Sequence, residues 1–187
     1  MTTHDLFARL AAALSHAGIP YMFTSSFASS FHGTPRASND FDLVVAPSPE
    51  QLRALKASLP ELDYYFDLDD ALDALKRSRQ FNVIDLSSGW KIDFIIRKRR
   101  PFSLSEFERR FQIDFEGVPI FMAMAEDVIL AKLEWSKESG SERQIEDVAG
   151  ILRIRGDELD RTYIERWIKD LQVEAQWSQA LKVAGLS

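Results

Sequence analysis

Ser38-Asn39-Asp40-Phe41-Asp42-Leu43-Val44-Val45 is the stretch on which the fold turns. Its β-favouring second half, stopped by Pro47 and Pro49, reads as a strand over Asp40 to Val45. Successive residues of a strand point to opposite faces, so Asp40 and Asp42 share one face while Phe41 and Leu43 take the other. Two carboxylates this close repel each other unless a positive charge lies between them. A divalent cation is the simplest remedy. Hard oxygen ligands suit Mg2+, which also accepts substrate phosphates in its shell.

A third acid fits the same logic. Trp90-Lys91-Ile92-Asp93-Phe94-Ile95-Ile96 places Asp93 in an otherwise apolar strand, where a lone carboxylate is costly to bury without a partner. If this strand lies beside that of Asp40 and Asp42, the three acids converge. Three acids can hold two metal ions roughly 3.5–4 Å apart, the arrangement used for in-line phosphoryl displacement. Asp85, on the preceding strand, is the alternative third acid.

Further out, Tyr21–Thr24 reads as a buried strand, Ser25-Ser26 as a turn, residues 27–31 as a short helix, and His32-Gly33-Thr34-Pro35 as a second turn. Leu6, Leu10 and Leu14 mark an N-terminal helix ended by Gly18. Downstream, helices are expected over 49–58, 68–78 and 103–110. Strands are expected over 80–86 and 90–96, joined by Ser87-Ser88-Gly89, and over 112–115 and 118–122. After residue 123 the period becomes helical, with Met124, Val128, Ala131 and Trp135 in one stripe, and 124–187 reads as four helices. The expectation is an α+β protein: a mixed sheet with flanking helices in residues 1–123, and a C-terminal helical bundle in 124–187 packed on it.

Composition narrows the chemistry. The 187 residues include no Cys and only three His, so thiolate catalysis and thiolate zinc sites are excluded. A net charge of −6 argues against nucleic-acid binding driven by total charge, leaving Arg97-Lys98-Arg99-Arg100 as the one basic cluster of note. Neither a signal peptide nor a bilayer-spanning apolar run is visible, so a cytoplasmic location is expected.

Taken together, strand Tyr21–Thr24, turn Ser25-Ser26, helix, and strand with Asp40-Phe41-Asp42 resemble the signature of the DNA polymerase β-like nucleotidyltransferase superfamily. Ser25 stands where that signature usually has Gly. Phe31-His32-Gly33-Thr34-Pro35-Arg36 before Ser38-Asn39-Asp40 is similar to the small AbiEii-type toxin subgroup and its uncharacterised bacterial relatives, as are Glu126–Leu133 with Lys132 and Arg143–Val148 with Asp147. The resemblance implies a nucleotidyltransferase fold, an enzyme dependent on Mg2+ (two ions possible), and a nucleoside triphosphate as substrate. It further implies a hydroxyl acceptor on tRNA, a protein or a small molecule, with a possible antitoxin partner. Asp40, Asp42 and Asp93 would be catalytic and metal-binding. Ser25, Ser26, Arg36, Lys132 and Asp147 would bind the nucleotide. A catalytically silent relative that binds nucleotide or a protein is the competing expectation.

Each of these residues also has a plainer reading. Lys132 can be a surface lysine covering Trp135, Asp147 an i−4 partner of Arg143, and Arg36 a partner for an acid near the turn. His32 reads as a turn or packing residue and Gly33 as a backbone requirement. Trp135, Trp167 and Trp177 read as core.

Overall fold

The computed structural model describes residues 3–37 and 40–186, with side chains from Asp5 onward. Ser38 and Asn39 of the opening stretch therefore lie outside the described residues. In chain order the elements are α1 (Thr3–His16), β1 (Tyr21–Phe23), α2 (Ser25–His32), β2 (Asp40–Val45), α3 (Pro49–Ser58), β3 (Tyr64–Phe66), α4 (Leu68–Arg77) and β4 (Gln80–Asp85). They continue as β5 (Lys91–Ile96), α5 (Pro101–Glu108), β6 (Phe111–Phe115), β7 (Val118–Met122), α6 (Ala125–Ser139), α7 (Glu142–Arg155), α8 (Arg161–Leu171) and α9 (Glu174–Ala184). Contacts group Met1–Phe23 with Asn39–Met122 in one unit, and Thr24–Ser38 with Ala123–Ser187 in a second.

The first unit is a seven-stranded sheet in the order β3-β4-β5-β2-β1-β7-β6. Its centre is the parallel pair β2–β5, with β1 antiparallel to β2 and β4 antiparallel to β5. Alternation along the strands sends Phe41, Leu43, Ile92, Phe94, Phe81 and Val83 to one face, all of them buried. On that side Phe7 of α1 meets Phe41 at 4.5 Å and Phe23 at 5.1 Å between ring centroids, Phe41 stacks on Trp90 at 4.4 Å, and Phe81 stacks on Phe94 at 5.0 Å. Such ring contacts add about 0.5–1.5 kcal/mol each beyond the area they bury. Local signals set the helix ends. Ser48 and Gln51 form a reciprocal capping box with Pro49 in the first turn of α3, and the Asp67 carboxylate accepts from the amides of Asp69 and Asp70 to start α4.

The second unit contains α2 and the four helices expected after residue 123. Gly33 makes the tightest approach in it. A Cβ there would stand 2.7 Å from the Ile151 amide nitrogen and 2.9 Å from the Gly150 carbonyl carbon. Because the obstacle is backbone, Gly33→Ala is expected to destabilise the chain by at least about 2 kcal/mol in urea unfolding. A variant as stable as the parent would contradict this packing.

Two expectations need correction. Trp135 is not core but 45% exposed, and α6 turns Lys132 inward instead. The edge strand β3 had no sequence signal, since three residues are too few to display a period of two. Among the described residues, no helix is long and apolar enough to cross a membrane.

Candidate active site

In the sheet unit the parallel register of β2 and β5 puts Asp42 directly opposite Asp93, and Asp40 opposite Lys91. Neighbouring strands lie about 4.8 Å apart and paired residues share a face. Asp40, Asp42, Lys91 and Asp93 therefore form a square of charged positions on the face opposite Phe41 and Phe94. Exposure falls across it: Asp40 is exposed, Asp42 half-buried, and Asp93 buried. Asn82 of β4, paired with Asp93, extends this face and is exposed.

Lys91 is the residue that the sequence reading missed. Its Nζ lies 2.8 Å from Asp93 Oδ2. The hydrogen bond to Asp93 holds the Lys91 ammonium above the usual lysine range, and the charges of Asp93, Asp40 and Asp42 add to it. The signal was present as Lys91-Ile92-Asp93, since residues two apart on a strand share a face. Asp93 Oδ1, by contrast, is buried and has no hydrogen-bond partner. An orphaned carboxylate oxygen beside two more acids fits a hard cation in donor type and in charge. The side chains are not yet gathered around a point, however: among the described residues no three acids or histidines are arranged to hold a metal ion.

The register also separates Asp93 from its alternative. Asp85 is three residues from Asn82 on β4 and points to the other face, where it is fully buried. Its carboxylate accepts from the amides of Ser87 and Ser88 and from Ser87 Oγ, and pairs with Arg9. Burial alone would raise its pKa, but these bonds and Arg9 hold it below the usual range. Asp85 is thus a turn and core anchor. The basic run Arg97–Arg100 follows the far end of β5 from Lys91, and the Arg97 guanidinium lies over the Phe107 ring.

The helical unit gathers a second charged group. Asp147 of α7 receives Lys132 Nζ at 2.7 Å on Oδ2, and Arg36 Nε at 3.1 Å on Oδ1. Gln144 Oε1 accepts from Lys132 at 2.9 Å. Lys132 and Asp147 are almost wholly buried, at 3% and 9% side-chain exposure. Burial pushes the Asp147 carboxyl up, but the charge of Lys132 and the hydrogen bonds from Lys132 and Arg36 outweigh it and hold the group below its usual range. Three predicted site residues, Arg36, Lys132 and Asp147, are therefore brought together. Gln144 is an unpredicted fourth.

His32 is buried and donates from Nε2 to the Ala123 carbonyl at 2.7 Å. Burial lowers its pKa, so it is neutral at pH 7 and acts in packing.

At the start of α2, Ser25 has φ +54°, in the left-handed region. Thr24 supplies no side-chain cap, and Ser26 is buried. The first amides of a helix lack intrahelical partners and favour an anion. Ser25 thus adopts the backbone conformation for which glycine is the ready choice. Ser25→Gly is expected to raise stability by about 1 kcal/mol in chemical denaturation. A loss of stability would show that the Ser25 side chain contributes more than its strain costs.

No family model and no curated protein sequence matches this chain. Solved structures do. A solution structure of the antibiotic-resistance factor ANT(2'')-Ia aligns with TM-score 0.60 and 14% identity over 95% of each chain. A crystal structure of ANT(2'')-Ia in complex with adenylyl-2''-tobramycin aligns with TM-score 0.59 and 16% identity, over 91% of this chain and 98% of that one. The sheet order and helix succession described above are thus those of a nucleotidyltransferase fold.

Proposed function

We propose that this chain is a nucleotidyltransferase that moves a nucleoside monophosphate from a nucleoside triphosphate to a hydroxyl acceptor. The observation that carries the reading is the in-register pair Asp42–Asp93, with the buried Asp93 Oδ1 lacking a hydrogen-bond partner. The fold and the left-handed turn at Ser25 support it.

Asp40 and Asp42 would hold Mg2+, which supplies positive charge to the triphosphate as charge develops on it. The rest of the work falls to the chain. The acceptor oxygen attacks the α-phosphorus, the bond to the β-phosphate's bridging oxygen breaks, and pyrophosphate leaves. Asp93 Oδ1, with no competing donor, takes the acceptor's proton. Within the helical unit, the first-turn amides of α2, with Ser25 and Ser26, are the group proposed to bind phosphate. Within the helical unit, Arg36, Lys132 and Asp147 form the charged group proposed to bind nucleotide, with Lys132 fixed in place by Asp147 and Gln144.

The acceptor hydroxyl is carried by a small molecule, a tRNA or a protein. The adenylylated tobramycin seen with ANT(2'')-Ia makes aminoglycosides the first class to test. The AbiEii-like motifs carry the further reading of a toxin with an antitoxin partner. Titration calorimetry with each nucleoside triphosphate tests the basic claim. Binding that needs Mg2+ and fails in Asp42→Asn is expected, and absence of binding by any of them would overturn it.

A further inference from the structure

Arg110, just after α5, carries a charge that the sheet unit leaves unbalanced. Its Nη1 donates to the Phe107 carbonyl, and its guanidinium lies 4.3 Å from the Phe107 ring centroid and 5.3 Å from that of Phe121. The Arg97 guanidinium lies over the same Phe107 ring at 5.1 Å, so the two cations stand within about 10 Å of each other, one Debye length at 0.1 M salt. Among the described residues neither pairs with a carboxylate, and Nε of each is buried without a hydrogen-bond partner. Burial first, and then the charge of Arg97, pushes the Arg110 pKa below the usual arginine value. An anion is what such a pair lacks, and a guanidinium fork matches a carboxylate in shape.

Arg110 also lines a cleft of about 660 Å³ in the sheet unit. Ala8, Ala11 and Leu14 of α1, Ile19 of the loop that follows, and Val118 and Phe121 of the β6–β7 hairpin supply its apolar walls. Among the described residues that line it, Arg110 alone is charged. Small-molecule sites have this size and this construction, apolar walls with a few fixed polar groups. We propose that the cleft binds a small molecule with an apolar body and a single carboxylate. The carboxylate sits on Arg110 and the body lies against α1 and the hairpin, while Arg97 adds positive potential from outside the lining. The cleft shares no lining residue with the proposed transfer chemistry, so it stands or falls apart from that reading.

The test is titration calorimetry of the full chain with hexanoate, hexanol and inorganic phosphate. Hexanoate should bind one per chain. Hexanol has the body without the charge, and phosphate the charge without the body, so each should bind at least about tenfold more weakly. Arg110→Met should weaken hexanoate at least about tenfold and leave hexanol unchanged. Ala11→Phe, which narrows the cleft and leaves every charge in place, should weaken both. In the nitrogen-15 spectrum of the parent, hexanoate should shift the Arg110 Nε–H resonance. Should Arg110→Met fail to fold, that resonance and Ala11→Phe decide the matter. The proposal is overturned if hexanoate does not bind, or binds no more tightly than hexanol or phosphate. It is overturned equally by full hexanoate affinity in a folded Arg110→Met or in Ala11→Phe, or by an Arg110 resonance that does not move.

Discussion

Asp42→Asn is expected to lower metal-dependent nucleotidyl transfer roughly a thousandfold or more. The fold should not suffer. Like charges directly opposite on neighbouring strands destabilise a sheet, and Asp42 faces Asp93 in register. Relieving that repulsion should raise stability by about 0.2–1 kcal/mol. The opposed signs are what make the prediction sharp. A residue kept only for structure loses stability when it is changed; a residue kept for chemistry at a structural cost does the reverse. Steady-state transfer assays beside urea unfolding check both halves. An active Asp42→Asn variant would remove the acid from the reaction. An inactive but badly destabilised one would assign it to the fold.

Asp147→Ala should cost about 3–5 kcal/mol, because it strands the buried Lys132 ammonium without its carboxylate. The double change Lys132→Met with Asp147→Leu should cost much less, since it removes both buried charges together. The pair also predicts an acid limb. A carboxyl whose folded pKa lies below its unfolded value, about 3.9, adds stability above that value and loses it as pH falls through the folded one. Asp147 has such a depressed pKa. Parent and Asp147→Asn unfolding free energies should therefore differ at pH 7 and converge below about pH 4. Parallel curves would show that Lys132 and Arg36 do not hold the carboxylate as the distances indicate.

The parts of this fold that could be read from the sequence are those set by local period. Asp40–Val45, Pro49–Ser58 and Val118–Met122 have the expected bounds, and the Ser87-Ser88-Gly89 turn joins its two strands as an antiparallel pair. The β2–β5 pairing was conditional in the sequence, because nothing local tells one strand which other strand will lie beside it. Long-range contact made the other differences. α2 and its following turn group with the helices of the second unit, although they lie between two strands of the sheet in sequence. Lys132 and Trp135 exchange inside for outside because an ion pair with Asp147, fifteen residues on, holds the lysine in.

The candidate site divides in the same way. Asp40 and Asp42 follow from alternation alone, and Asp93 from its apolar surroundings. Lys91 was overlooked because a lysine at a strand start is commonplace on a solvated edge, and only the register with Asp40 gives it a place among the acids. The left-handed backbone at Ser25 is likewise invisible in a residue type that seldom adopts it. It shows how serine can occupy a position where the resembling family has glycine.

The most direct test of the central claim is transfer of radiolabel from α-phosphate-labelled nucleoside triphosphates, with pyrophosphate release measured in parallel. Acceptors would be a panel of aminoglycosides, tRNA and protein. Mg2+-dependent labelling of one acceptor class is expected, with one pyrophosphate per label, and abolished in the double variant Asp40→Ala/Asp42→Ala. Labelling that persists at the parent's level in that double variant would contradict it.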